Sequence, residues 1–344
     1  MNKIKAVSEI IAALALLILF IIYPKAMADS ISSSINTCLT VIIPSMFVFM
    51  VLSSYIISKR LYNVFITPLH RLLKPLIRLD KEQFTVFILS LIGGYPTGIK
   101  LLQEKTSENI NYHEISAVMS VFSYCVSPVF AVNIIGYGIY GCADAGIIVY
   151  ISNLLACFIT AVFCSRRIKS VPDNTSYNSQ KGIIYSINSA SKALLMISAI
   201  IICFNAVLAV TESLFCELGV TLSPFITGSA EISNLIKLES PSPEMLPLIS
   251  FISSFGGICV LLQSASISGK SFSLKYFLIG RAVCGILSLI ITHIIMSFWE
   301  ITVKTSSGSS AYIYTLNQDK TVVILLIMMC TIIFLKSEKI FKKL

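Results

Sequence analysis

Two charged residues, Glu231 and Arg281, fall inside apolar stretches of the chain, where a charge is costly unless a partner meets it. A carboxylate there can hold a cation, a proton, water or a hydrogen-bonded solute. The planar five-donor fork of an arginine suits a carboxylate solute. Each has a plainer alternative: a shift of a few residues would put Glu231 at the outer rim with Glu239, and Arg281 could snorkel to the cytoplasmic face. Hydroxyls and amides accompany them at Ser120, Ser123, Ser127, Asn133, Ser250, Ser253, Ser254 and Gln263. Singly, such side chains pack membrane helices; together they could line a polar pocket. A third feature is the backbone itself at Gly93-Gly94-Tyr95-Pro96-Thr97-Gly98, which interrupts an apolar run over 84–102. Lipid cannot satisfy N–H and C=O groups freed by a break, so an interruption at membrane depth is tolerated only beside protein or a watery cavity. Transporters bind cargo in such places. A simple kink needs one proline, and this stretch adds glycines and a threonine to it.

The elements that must carry these residues are apolar throughout. Of 344 residues 56% are hydrophobic and 12% charged, which predicts an all-α, polytopic membrane protein and leaves no soluble domain over. The 26 basic residues exceed the 17 acidic ones, yet they lie in loops between apolar runs, so the excess speaks for orientation in a lipid bilayer and not for nucleic acid. Ten scattered cysteines and three distant histidines, His70, His113 and His293, have no metal-ligand spacing. No nucleophile with a matching base is evident either, so neither a metal site nor an enzyme is expected.

Along the chain, an N-terminal span with Ala26-Met27-Ala28 after it, resembling a cleavage site, occupies 1–30. Region 31–140 holds a span at 31–57 carrying Pro44, an interfacial amphipathic helix over 61–79, a re-entrant hairpin over 84–107 and a span over 115–139. A span at 145–164 and a polar linker fill 141–188; region 189–299 holds spans at 189–209, 246–267 and 272–299 around a second re-entrant hairpin at 218–240. A Ser-rich external loop and a last span at 322–335 complete 300–344. This arrangement of about eight spans and two hairpins puts both termini in the cytoplasm. It leaves only Lys25, Lys237, Lys304 and Lys320 outside and Arg281 within a span.

A shift of 130 residues superposes Thr227-Gly228 on Thr97-Gly98, Glu244 on Glu114, Ser250 on Ser120, Ser253 on Ser123 and, approximately, Gln263 on Asn133. The matches are sparse, but they coincide with interrupted segments in halves of opposite orientation, the pattern of an inverted repeat around a midplane site.

Gly94-Tyr95-Pro96-Thr97-Gly98-Ile99-Lys100, with Phe255-Gly256-Gly257 and Gln263, resembles the nucleoside-recognition or Gate-domain membrane proteins, and most of all their sporulation integral membrane branch. The element order is also similar to that of concentrative nucleoside transporters. Glu231 falls where that family carries a Glu-x-Thr-x-Gly string, although Ser233 and Leu235 depart from it, and Arg281 matches an arginine common in the following span. The resemblance implies movement of a small solute, a nucleoside or a pyridine-dicarboxylate-like dianion, with Na+ or H+ as a coupling ion and no organic cofactor. It also implies a cell membrane or outer forespore membrane setting. A non-transporting scaffold of the spore envelope is the alternative, and self-association into a homo-oligomer is left open.

Overall fold

The structure, a computed structural model, describes residues 3–109, 112–168, 182–238, 241–268 and 273–299. The expected loop and span of 300–344 and most of the linker lie outside the described residues. All described elements are helical. Five helical stretches are long and apolar enough to cross a membrane: Pro24–Ser58, Ala143–Arg167, Ile183–Glu217, Pro243–Ser268 and Leu274–Met296. Large side chains such as Ile21, Leu195 and Ile184 are 71–79% exposed, which suits a lipid-facing surface and not a watery one.

Helix α1 (Lys3–Ile22) turns at Tyr23 directly into α2 (Pro24–Thr37), whose first position is the proline, where a missing N–H costs nothing. The expected span at 31–57 therefore begins seven residues earlier, at Pro24. It continues through a π-helical turn (Cys38–Ile42) into α3 (Ile43–Ser58). Pro44 explains that turn. Its ring crowds the carbonyl one turn back, and the widened loop, in which Ile43 N–H reaches the Cys38 carbonyl, relieves the clash. Helix α4 (Tyr62–Leu73) follows.

Helix α5 (Lys81–Gly93) starts in a capping box formed by Asp80 and Gln83 and ends at Gly94, whose φ of 73° no other residue adopts cheaply. After a cis Tyr95–Pro96 bond the chain re-enters helix as α6 (Thr97–Glu108). An ion pair joins Lys105 of α6 to Glu82 of α5, so the far ends of the two helices meet and the pair is a fold-back hairpin and not a kinked rod. At 13 and 12 residues, each arm is about 18–20 Å long against a hydrocarbon core of about 30 Å.

The expected span over 115–139 is itself broken. Helix α7 (Tyr112–Phe122) stops, residues 123–127 are non-helical, and helix resumes as α8 (Pro128–Phe130), running into a π-helix (Ala131–Ile139). Ser127 caps the restart by accepting from Phe130 N–H at 3.1 Å, with Pro128 behind it. Helix α9 (Ala143–Cys164) is a plain span. Helix α10 (Ile183–Glu217) is much longer than the expected 189–209: 35 residues, or about 52 Å.

That length shortens the second hairpin. It is reduced to α11 (Pro224–Ala230), capped by Ser223, and a 3₁₀ segment (Ile232–Lys237) that begins at Glu231. Thr227-Gly228 lies inside its first arm, whereas Thr97-Gly98 opens the second arm of α5–α6, so that part of the superposition does not align like with like. The broken spans do align. The interruption at 123–127 shifted by 130 is 253–257, and α12 (Leu246–Phe255) ends at Gly256 (φ 95°) before α13 (Gly257–Ser268). Helix α14 (Leu274–Met296) closes the described chain.

Two apolar clusters hold these elements. The smaller joins Cys38, Ile42, Met46 and Met50 to Ala190, Leu194, Ile197 and Ile201 at helical spacing, tying α2–α3 to α10 as a long antiparallel arm. The larger contains the hairpins, the broken spans, α9 and α14.

Candidate functional site

The interruptions meet. Tyr95 N–H donates to the Cys125 carbonyl at 2.7 Å, joining the hairpin turn to the non-helical 123–127 segment. A Cβ on Gly98 would lie 2.0 Å from the Ser123 carbonyl oxygen, and one on Gly94 would lie 2.5 Å from Ser127 Cβ. In the other half, a Cβ on Gly256 would lie 2.1 Å from Tyr124 Oη, and one on Gly257 would crowd the Ser229 and Ala230 carbonyls at 3.1 and 3.3 Å. These glycines therefore let four backbone segments touch.

At the junction Tyr95 and Tyr124 stack with ring centres 4.7 Å apart, and Phe277 of α14 stands edge-on to Tyr124. Arg281, fully buried, lies 4.6 Å from the centre of the Tyr124 ring. Its Nη1 donates to the Val121 and Tyr124 carbonyls at 3.0 and 2.9 Å. Its Nε and Nη2 both donate to the Ser254 carbonyl, and Nη2 donates also to Ser254 Oγ at 3.0 Å. Helices α7 and α12 both stop here, and the carbonyls of a helix's last turn lack partners and carry its negative end. Arg281 answers both ends at once. Its fork is filled by the protein, so the carboxylate-binding role expected for it finds no free donors.

Beside this junction a narrow cleft, with about 30 Å³ of room for water-sized centres, lies between the two apolar clusters. Ile42, Ser45, Met46, Ile197 and Ile201 form its wall on the arm side; Tyr95, Ser127, Phe130, Glu231, Ile232, Val260 and Gln263 form the other. Glu231 is 2% exposed. Its Oε1 accepts from Ser233 N–H at 3.2 Å and Ser233 Oγ at 3.0 Å, while Oε2 has no hydrogen-bond partner. Tyr95 Oη is likewise buried without a partner. Gln263 donates only a weak bond, to Cys259 Sγ at 3.4 Å. None of the lining residues is cationic.

Of the expected site residues, Tyr95, Glu231 and Gln263 thus line one cleft, with Gly94, Pro96, Thr97, Gly98, Gly256 and Gly257 shaping the backbone beside it. The remaining hydroxyls turn out to pack. Ser120 donates to the Ala117 carbonyl, Ser253 to Ile249 and Thr227 to Pro224, each within its own helix, and Gly228 gives room to Leu235. Ser123 is buried with its hydroxyl unpartnered but does not line the cleft. Asn133 is exposed on the π-helix and does not line the cleft, whereas Gln263 does. Sequence reasoning missed the arm-side wall altogether; Pro44 next to Ser45 in the middle of a span was the available signal.

Among the described residues no group of His, Cys, Asp and Glu has the arrangement of a metal site. Compared with protein-family models, curated proteins and solved structures, the chain matches none of them.

Proposed function

We propose that the protein carries a small, neutral, hydrogen-bonding solute of nucleoside-like character across a membrane, with the cleft as its binding site. The observation that carries this reading is the pair of buried, unpartnered polar atoms, Glu231 Oε2 and Tyr95 Oη, on the wall of an otherwise largely apolar cleft. Unsatisfied buried polar groups are rare and expensive in native proteins, and a solute with donors would satisfy them. A dicarboxylate would meet the Glu231 carboxylate with no cation on the lining to offset it, since Arg281 is occupied. The neutral solute is therefore favoured over the dianion. A coupling H+ or Na+ would share Glu231.

In this reading α5–α6 and the shorter hairpin are re-entrant, reaching the cleft from opposite sides, which the arm lengths of α5 and α6 support. The spore-forming setting rests on the sequence resemblance. A spore-envelope scaffold would have no use for an unpartnered carboxylate in a cleft. The test is uptake of radiolabelled nucleoside and, in parallel, pyridine dicarboxylate into vesicles holding the full-length protein. Nucleoside uptake should exceed that of the dianion and fall at least about tenfold in Glu231→Gln, the loss of one buried charge-assisted hydrogen bond. Uptake of neither solute by folded protein would overturn the reading.

A further inference from the structure

Two sets of polar contacts cross from the α2–α3/α10 arm to the hairpin-bearing body, and they lie on opposite sides of the cleft. At one end the Glu104 carboxylate of α6 accepts from three elements: from Ser54 Oγ of α3 at 2.9–3.0 Å, from Ser189 Oγ of α10, and from Lys100 Nζ of its own helix at 2.7 Å. Lys100 and Glu104 are 4% and 13% exposed, so this is a buried charge cluster and not a surface pair. At the other end Asn234, in the short hairpin, donates to Asn205 Oδ1 of α10 at 3.1 Å, and Asn205 Nδ2 donates to Ser34 Oγ of α2 at 3.0 Å. Lys237 pairs with Glu212 of α10, about two turns beyond Asn205.

The spacing orders these groups. Along α10 Ser189 comes first, then the cleft residues Ile197 and Ile201, then Asn205. Ser189 and Asn205 are therefore about 24 Å apart, with the cleft between them. Along the antiparallel partner the sequence is Ser34, then Ile42 and Ser45, then Ser54. Each clamp draws one member from a different hairpin and fastens it to the same arm.

We propose that these clamps are the two gates of the cleft, Glu104 closing it toward one face of the membrane and Asn205 toward the other, so that opening one at a time exposes the site alternately. The proposal deepens the solute-carrier reading of the cleft and rests on it. A site between two bodies is reached from a given side only when the contacts on that side part, and polar contacts can be exchanged for water where tightly packed apolar ones resist.

The test uses the full-length protein in lipid vesicles carrying Ser45→Cys on the cleft wall. A membrane-impermeant maleimide is added from one face at a time, and labelling of the Ser45-intact protein is subtracted to remove the native thiols. Adding Glu104→Ala should speed labelling about tenfold from the Glu104 face alone, and Asn205→Ala should do so from the opposite face alone, the response of a two-state equilibrium released on one side. Should Glu104→Ala fail to fold, Ser54→Ala with Ser189→Ala removes only the arm's two donors, keeps the Lys100–Glu104 pair, and should give the same one-sided gain. Unchanged rates, or both variants opening the same face, would overturn the gates. No solute is present in the labelling. Absent uptake with one-sided labelling intact counts against the carrier reading alone, and unchanged labelling with normal uptake counts against the gates alone.

Discussion

Arg281 shows how far a residue's chemistry depends on what surrounds it. A guanidinium within an apolar run invites a bound anion, yet here the partners are the ends of two interrupted helices, and the charge stabilises the breaks that shape the site. Replacing it with Met strands the Ser254 carbonyl and leaves the Tyr124 and Val121 carbonyls only the weak thiol bonds of Cys157 and Cys284, at about 1–3 kcal/mol for each unsatisfied group, so Arg281→Met should fail to accumulate in folded form. Arg281→Lys keeps the charge but offers three donors for five bonds. It should fold with a lowered melting temperature and bind solute with near-normal affinity once folded. A large loss of affinity in Arg281→Lys at unchanged melting temperature would return the residue to the solute. Glu231 was legible from its type and apolar setting alone. Its unpartnered oxygen was not, because that depends on Ser233 taking only Oε1 and on what faces it from α3 and α10.

At the scale of elements, the breaks were readable and the lengths were not. The Gly-rich turn at 94–98 and Gly256-Gly257 stand where the backbone has positive φ or touches another segment, for reasons local to glycine. The restart at Pro128 carries the same Ser-Pro signature as Pro224 and Pro243, a helix-start signal masked by the apolar residues on both sides. Helix α10 runs past its expected end at 209 through the polar Thr211, Glu212 and Ser213, because Thr211 and Ser213 return their hydroxyls to their own helix and Glu212 pairs with Lys237. Hence the second hairpin is shorter than the first. Gly98→Leu would drive a side chain into the Ser123 carbonyl, which a Cβ alone would approach to 2.0 Å. Overpacking costs about 1–3 kcal/mol and here parts the two breaks. The variant should insert in the membrane yet lose solute uptake, whereas Gly182→Leu, with open space around it, should keep both. Normal uptake by Gly98→Leu would mean that the contact between the breaks does not matter.

For the whole molecule, the sequence pointed to a site between two repeated halves. The cleft takes lining residues from both 31–140 and 189–299, and the structure adds that its walls are a long two-helix arm and the body that carries both hairpins. No periodicity within either half encodes that partition, which arises from the antiparallel meeting of residues far apart in the chain: Tyr23 with Glu217, and Ser34 with Asn205. The most direct measurement is equilibrium binding of radiolabelled nucleoside to purified full-length protein with the arm-side wall altered. Ile201→Trp, which fills the cleft while leaving the Glu231 residue in place, should abolish binding, while Leu195→Trp, on the 71% exposed face of the same helix, should leave it intact. Undiminished binding in Ile201→Trp would contradict a solute site between arm and body.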